Sequence, residues 1–129
     1  MMTEIIEQEG NESIFYIKEY ECKAHRHSDF MFWCGYVTRK DGEPMTDEEI
    51  EVFDDIAIGG MTFNTDSTIG FDCGHNGQLV PAHILSSMFD DEFLNSPTDF
   101  YVTRQDVEDC LTTCANAMSN IKNYEKDEL

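Results

Sequence analysis

The sequence predicts an α+β domain in which a C-terminal amphipathic helix packs on one face of an antiparallel sheet. Strand patterns dominate the first part of the chain, and apolar residues at helical spacing fill its last part. A short acidic helix is indicated after the second strand region. Strands that precede helices, rather than alternate with them, are typical of this class. Since 129 residues suffice for one core, we expect residues 1–129 to form a single domain with a frayed acidic tail at 123–129.

The early segments have the composition of strands. Residues 13–20 alternate in polarity, and residues 30–39 are rich in aromatic and β-branched side chains. Between them, residues 22–27 hold two basic side chains and two histidines in a strand-like stretch, which we interpret as an exposed basic edge strand. An Asp-Gly turn is predicted at residues 40–44.

The short acidic helix is predicted from its capping signal. Thr46 and Glu49 have the spacing of a capping box, in which each side chain accepts a hydrogen bond from the backbone of the other residue. The helix is expected to run over residues 47–54. Acidic residues in its first turn are favourable because they face the positive end of the helix dipole.

The second half of the chain contains two more predicted strands and a long helix. Strands at residues 56–63 and 68–73 flank a turn at residues 64–67. Residues 81–89 fit either a short helix or an irregular lid. The last helix is the clearest element, and Thr103 is its predicted cap. Its apolar residues recur at helical spacing: Val107, Leu111, Cys114, Ala115, Met118 and Ile121.

The charge is the strongest functional signal. The net charge is -19, and residues 41–103 contain fourteen acidic residues and no lysine or arginine. Such a surface repels phosphates, which disfavours direct binding to DNA, RNA or an anionic membrane. A basic protein surface that normally holds nucleic acid is the natural partner. The alternative is that the acidity serves only solubility or adaptation to a salt-rich cytoplasm. The candidate contacts are Asp47, Glu48, Glu51, Asp54, Asp55, Asp90, Asp91 and Glu92.

The expected location is the cytoplasm. No apolar run approaches the roughly 20 residues that span a bilayer, and the first residues are acidic, unlike those of a signal peptide. The final four residues, KDEL, match an endoplasmic-reticulum retention signal, which we interpret as coincidental. The five cysteines are odd in number and include no C-x-x-C pair, which indicates free thiols.

The densest chemistry lies in residues 69–77, which combine Asp72, Cys73 and His75 with three glycines. In one interpretation Cys73 is a nucleophile with His75 as its base, or both side chains bind a metal. In the other, the glycines permit a tight turn, Cys73 is buried, and His75 bonds to the backbone of the loop. We favour the structural interpretation and keep a thiol- or metal-dependent enzyme as the alternative function.

A larger metal site is a further alternative. Six side chains of suitable type could together supply tetrahedral ligands: Cys22, His25, His27, Cys34, Cys73 and His75. A single C-x-H segment lacks the paired spacing of zinc motifs. The sequence also contains no phosphate-binding loop, dinucleotide fingerprint or nucleophile elbow. We therefore predict no metal, no cofactor and no enzymatic activity.

Three segments resemble, in order and spacing, those of a group of small phage and prophage proteins of unassigned function: CGYV at 34–37, GGMTF at 59–63 and IGFDCGHNG at 69–77. The resemblance covers about residues 30–80. Those proteins tend to carry His before the paired glycines and Asp after the last glycine, where this chain has Ile58 and Gln78. The resemblance implies a mobile-element origin, and small acidic phage proteins are often inhibitors of host defence. With the charge, it leads us to expect a nucleic-acid mimic that occupies a basic site of a host nuclease or defence complex.

Overall fold

The structure, a computed structural model, describes residues 2–28, 30–74 and 102–127. In chain order the described elements are α1 (Met2–Glu9), β1 (Glu12–Ile17), β2 (Tyr20–Arg26), β3 (Trp33–Arg39), α2 (Asp47–Ile56), β4 (Phe63–Thr65), β5 (Thr68–Asp72) and α3 (Arg104–Asp127). The strands form one antiparallel sheet in the order β1-β2-β3-β5-β4. The predicted α+β class is confirmed.

One face of the sheet is covered by helices. α3 lies against β2 and β3 and contacts α2 at its side. The predicted apolar face of α3 is buried in this layer, although Ile121 is only partly covered. Alternate residues of each strand point toward it, as the pleat of a strand requires. The largest buried side chains of the sheet are Tyr20, Trp33, Val37, Ile69 and Phe71.

Gly35 lies directly under α3 and beside Phe71. A Cβ atom at this position would lie 2.6 Å from Cζ of Phe71 and 3.2 Å from a methyl carbon of Leu111. The first distance is far inside van der Waals contact, so the interior has no room for a side chain here. The absence of a side chain at Gly35 therefore leaves room for the Phe71 ring and for Leu111 of α3.

Both helices of this layer begin with the predicted capping signals. The Glu49 N–H donates to Thr46 Oγ1 at 3.1 Å, and the Thr46 N–H donates to Glu49 Oε1 at 2.9 Å. At α3, the Asp106 N–H donates to Thr103 Oγ1 at 3.1 Å, and the Thr103 N–H donates to Asp106 Oδ2 at 3.0 Å. Each pair satisfies backbone donors that the first helical turn leaves without a partner.

The predicted strand at residues 56–63 is wrong. α2 runs two residues further than expected, and the chain then turns at Gly59 and Gly60, whose φ angles are 74° and 87°. These left-handed conformations suit glycine and interrupt an extended backbone. Only the three residues of β4 join the sheet before the predicted turn, whose position is confirmed by the pairing of Thr65 with Thr68.

The predicted strand at residues 13–20 is divided by a hairpin. Ile17 pairs with Tyr20, so Lys18 and Glu19 form a two-residue loop, and Lys18 has a φ of 52°. The next strand, β2, lies between β1 and β3. The interpretation of residues 22–27 as an exposed basic edge strand is therefore wrong.

Arg26 explains why a basic strand lies inside the sheet. Its side chain is only 2% exposed, and its Nη2 lies 2.8 Å from Glu9 Oε1. The guanidinium also donates to the carbonyl oxygens of Gly10 at 3.1 Å and Met31 at 2.7 Å. It lies 4.6 Å from the ring centroid of Trp33. A buried charge is tolerated when it is paired and hydrogen-bonded in this way.

Helix α1 has no counterpart among the predicted elements, and its last residue, Glu9, connects several parts of the fold. Besides Arg26, the Glu9 carboxylate accepts hydrogen bonds from Trp33 Nε1 at 3.3 Å and from the Arg104 backbone N–H at 2.6 Å. Arg104 Nη1 donates to the Glu9 carbonyl oxygen at 2.7 Å. A carboxylate at the N-terminus of α3 also favours the helix dipole. Glu9 therefore joins α1 to β2, β3 and α3.

The remaining predicted elements have three different outcomes. β5 agrees with the predicted strand at 68–73. β3 begins at Trp33, three residues later than predicted, because Met31 has a φ of 67° and its N–H donates to the His27 carbonyl oxygen at 2.9 Å. The helix or lid predicted at 81–89 lies outside the described residues. Among the helices that are described, none is long and apolar enough to cross a bilayer.

Candidate partner-binding surface

Five of the predicted contact residues lie on the solvent side of α2. All five are exposed, and with about 3.6 residues per turn they occupy roughly 120° of the helix circumference. Neighbours three or four positions apart on this face have Cβ atoms about 5–6 Å apart. We call this set the acidic stripe: Asp47, Glu48, Glu51, Asp54 and Asp55.

Glu49 points in the opposite direction and holds α2 to the sheet. It is 0% exposed, and its Oε2 accepts a hydrogen bond from the Tyr20 hydroxyl at 2.5 Å. Arg39 Nη1 lies 3.2 Å from Glu49 Oε1, and Arg39 Nη2 lies 2.6 Å from Asp41 Oδ2. Burial, followed by the hydrogen bond to Glu49, raises the pKa of Tyr20. Tyr20 therefore remains a donor, and Arg39 balances the buried carboxylate.

Apolar packing completes the attachment of α2. Phe53, one helical turn after Glu49, is fully buried, and its ring centroid lies 6.0 Å from that of Phe71. Burial of a phenylalanine side chain contributes about 1.5–3 kcal/mol. Because Glu49 and Phe53 fix the inward face, the acidic stripe is held toward solvent.

The charges of the acidic stripe have opposing effects on the helix. Asp47 and Glu51 form a like-charged pair at i and i+4, and so do Glu51 and Asp55. Each such pair costs about 0.2–0.5 kcal/mol. Only the acids of the first turn gain from the helix dipole. Beyond the first turn, the charges of Glu51 and Asp55 therefore serve solubility or binding rather than the fold.

One stripe residue also has a structural role, and three predicted contacts are not described. Asp54 has a local role, since its Oδ1 accepts a hydrogen bond from the Met61 N–H at 2.8 Å and so supports the turn after α2. Asp90, Asp91 and Glu92 lie outside the described residues. The described part of the candidate surface is therefore the acidic stripe.

The alternative site at Asp72, Cys73 and His75 is only partly described. Cys73 is 1% exposed and points into the core, whereas Asp72 is on the opposite side of the sheet and accepts a hydrogen bond from the Gly74 N–H at 3.0 Å. Burial raises the pKa of the Cys73 thiol, so it is uncharged at neutral pH. His75 lies outside the described residues. A buried, protonated thiol is a poor nucleophile.

The larger set of possible metal ligands is divided between the two faces of the sheet. Cys22 is buried in the core, whereas His25 projects from the other face of β2, with its Nδ1 3.7 Å from a Glu12 carboxylate oxygen. Cys34 pairs with His25 across the strands, and burial raises the pKa of its thiol to about 11. Within residues 2–28, 30–74 and 102–127, no group of three or more ligand-type side chains could hold a metal ion.

The sequence pattern does not reveal Tyr20 and Arg39 as the residues that anchor the candidate surface. The available signal is Glu49, which shares the inward side of α2 with Phe53. A charged residue on the buried face of an amphipathic helix requires a buried partner. That partner comes from β2 and β3, and only the fold identifies it.

Comparisons of the chain with protein-family models, with curated proteins and with solved structures gave no match.

Proposed function

We propose that this protein is a small acidic, phage-type binding protein that inhibits a host defence or nucleic-acid-processing protein. In this proposal the acidic stripe occupies a basic site that normally holds nucleic acid. The observation that carries the proposal is the stripe itself, which presents five exposed acids on one side of an anchored helix. It belongs to residues 41–103, which contain no lysine or arginine.

Charge complementarity supports this mode of binding. A row of carboxylates about 5–6 Å apart on a helix offers a basic site several closely spaced negative charges. Such charges accelerate association with a basic partner and lose this effect as salt increases. They repel nucleic acid, so the protein competes with nucleic acid for the partner instead of binding it.

The phage-type origin rests on the resemblance of residues 30–80, and two glycines of those segments have packing roles in the sheet. Gly35 permits the close approach of α3. At Gly70, a Cβ atom would lie 2.5 Å from a ring carbon of Tyr36. Both glycines serve the packing of β3 and β5.

A thiol- or metal-dependent enzyme centred on Asp72, Cys73 and His75 is the competing function. No contact among the described residues favours it, since the Cys73 thiol is buried. This function requires that purified protein carries near-stoichiometric zinc, or that Cys73 reacts with an alkylating agent much faster than the other thiols. Elemental analysis of the purified protein tests the first requirement directly.

The proposal is tested with two variants of equal charge. The stripe variant carries Asp47→Asn, Glu48→Gln and Glu51→Gln. The matched control carries Glu4→Gln, Glu7→Gln and Glu43→Gln, at exposed positions outside α2. Each immobilised protein is incubated with a bacterial host lysate at moderate salt, and the captured proteins are identified by mass spectrometry.

We expect the parent protein and the control to capture the same nucleic-acid-binding protein and the stripe variant to lose it. Duplex DNA should displace the captured protein, and the purified parent should inhibit its nucleic-acid binding or cleavage. Capture of no such protein, or equal capture by all three proteins, would show that the acidic stripe is not an inhibitory surface.

A further inference from the structure

A cleft separates the end of α2 from the start of α3. Its volume is about 570 Å³, within the range of sites that hold small molecules or side chains. The cleft combines an apolar floor with a carboxylate rim, and it is lined by Ile56, Ile58, Val102, Asp106, Asp109, Cys110 and Thr113.

The floor of the cleft is apolar and accessible. Ile56 and Ile58 are half-buried and pack against the edge of the core, and Val102 is buried below them. Exposed aliphatic surface between acidic residues offers a place for a side chain that has both an apolar stem and a positive head. Lysine and arginine are the two side chains of this kind.

The rim of the cleft carries two carboxylates on one side of α3. Asp106 and Asp109 are three positions apart, so their Cβ atoms lie about 5–6 Å from each other. Asp106 accepts a hydrogen bond from the Thr103 N–H at 3.0 Å, and Asp109 accepts one from a Gln105 side-chain N–H at 2.8 Å. A carboxylate has about four acceptor positions, so both retain capacity for further donors.

We infer that this cleft binds an arginine side chain of the basic partner, with the stem on Ile56 and Ile58 and the guanidinium between Asp106 and Asp109. The inference rests on the proposed function and identifies the anchor of the interface. A planar guanidinium has five N–H donors and is weakly hydrated, so it can bridge two carboxylates over an apolar floor. A lysine ammonium is compact, strongly hydrated and less suited to this geometry.

The position of the cleft agrees with this role. Ile56 is the last residue of α2 and directly follows Asp55, so the cleft begins where the acidic stripe ends. The partial negative charge at the C-terminus of α2 favours a cation, whereas the first turns of α3 carry partial positive charge, which the Asp106 and Asp109 carboxylates have to outweigh. Arginine residues that fill pockets are frequent energetic centres of protein interfaces.

The first test uses a small probe, N-acetyl-arginine methylamide, with the uncharged citrulline analogue as its matched control. Methyl NMR of the full chain follows the δ1 methyl groups of isoleucine. We expect the methyl resonances of Ile56 and Ile58 to shift in a saturable manner with the arginine probe. The resonances of Ile14 and Ile69, which do not line the cleft, should not shift. The citrulline analogue should bind at least about fivefold more weakly.

Variant proteins connect the probe to the carboxylates. Asp106→Asn with Asp109→Asn should weaken binding of the arginine probe by about fivefold or more, and asparagine keeps an acceptor for the Thr103 N–H. Equal shifts with arginine and citrulline, or an unchanged affinity in this double variant, would overturn the inference. Equal affinity for the lysine analogue would overturn the preference for arginine.

Cys110 supplies an independent readout because its half-buried thiol lines the cleft, 3.6 Å from the Ile56 carbonyl oxygen. A hydrogen bond from Cys114 lowers the pKa of Cys110, whereas burial raises the pKa values of Cys22 and Cys34. Iodoacetamide should therefore modify Cys110 first. The arginine probe should slow this modification severalfold, and an unchanged rate would contradict occupation of the cleft.

The failures of the two proposals are distinguishable. If the Asp106→Asn and Asp109→Asn variant retains the captured partner at full affinity while the stripe variant loses it, the anchor is wrong and the proposed function stands. If the stripe variant retains the partner while the cleft still binds the arginine probe, the proposed function is wrong and the cleft is a separate cation site.

Discussion

Replacement of Glu9 by alanine should destabilise the protein strongly, although Glu9 lies at the end of a short N-terminal helix. The substitution removes the carboxylate that pairs with the buried Arg26 guanidinium and accepts hydrogen bonds from Trp33 and from the first residue of α3. Loss of one partner from a buried ion pair typically costs 3–5 kcal/mol.

The structure places the expected cost near the lower end of that range. The Glu9 side chain is 13% exposed, and Arg26 keeps the carbonyl oxygens of Gly10 and Met31 as acceptors. We therefore expect a loss of about 3 kcal/mol, a large part of the 5–15 kcal/mol of a typical domain. The melting temperature should fall by about 10 °C. Glu9→Gln keeps an acceptor but loses the charge, and should cost about 1–2 kcal/mol.

Urea unfolding measures this effect, with the fluorescence of Trp33 as the signal, since it is the single tryptophan. Glu7→Ala is the matched control, because Glu7 is an exposed acid of the same helix and should change stability by about 0.5 kcal/mol or less. The double variant Glu9→Ala/Arg26→Met should lose less than the sum of the two single changes. If Glu9→Ala unfolds at the same urea concentration as Glu7→Ala, the contacts of Glu9 do not stabilise the fold.

Three further predictions concern the core and its thiols. Leu111→Ala should cost about 2–5 kcal/mol because the side chain is fully buried, whereas Glu48→Ala should change stability by about 0.5 kcal/mol or less. Thermal melts that show the opposite order would mean that the core face of α3 is misidentified. Gly35→Ala should cost about 1–3 kcal/mol, since the added methyl group meets the Phe71 ring at 2.6 Å; an unchanged melting temperature would refute the close approach. Burial raises the pKa of Cys34 from 9.0 to about 11, so the contribution of its protonated thiol to stability is present below about pH 9 and is lost as the pH rises toward 11. The free energy of unfolding, measured with urea, should therefore fall between about pH 8 and about pH 10.5. This fall should be smaller in a Cys34→Ala variant than in the parent, and an equal fall would contradict the raised pKa.

The elements that the sequence predicts well are those with local signals. The capping box at Thr46 and Glu49 and the cap at Thr103 both mark the start of the helix that the structure shows. The apolar face of α3 is similarly local, because helical periodicity alone identifies it. The turn between β4 and β5 also agrees, since its residue types favour a tight turn.

The elements that the sequence does not predict depend on contacts between distant parts of the chain. In the sequence, Arg26 is typical of an exposed strand. In the structure, Glu9 and the Met31 carbonyl oxygen accept its hydrogen bonds and it is buried. Helix α1 has a C-terminal signal in Gly10, whose φ is 74°, but its position in the fold depends on Arg26 and Arg104. The candidate surface depends on both kinds of information. The exposure of the acidic stripe follows from the helical pattern of the sequence. Its orientation depends on Tyr20 and Arg39, which contact Glu49 only in the folded structure.

The contact between Glu9 and Arg104 has a consequence for synthesis of the chain on the ribosome. These residues are 95 positions apart, so α1 cannot reach its final partner until the start of α3 has emerged. The apolar face of the sheet lacks the part of its cover that α3 supplies during the same interval. At a synthesis rate of about 5–20 residues per second, the stretch from Asp72 to Met118 requires about 2–9 seconds. In that time the sides of Trp33 and Phe71 that face α3 are accessible to chaperones or to other nascent chains. This access ends when α3 packs over them.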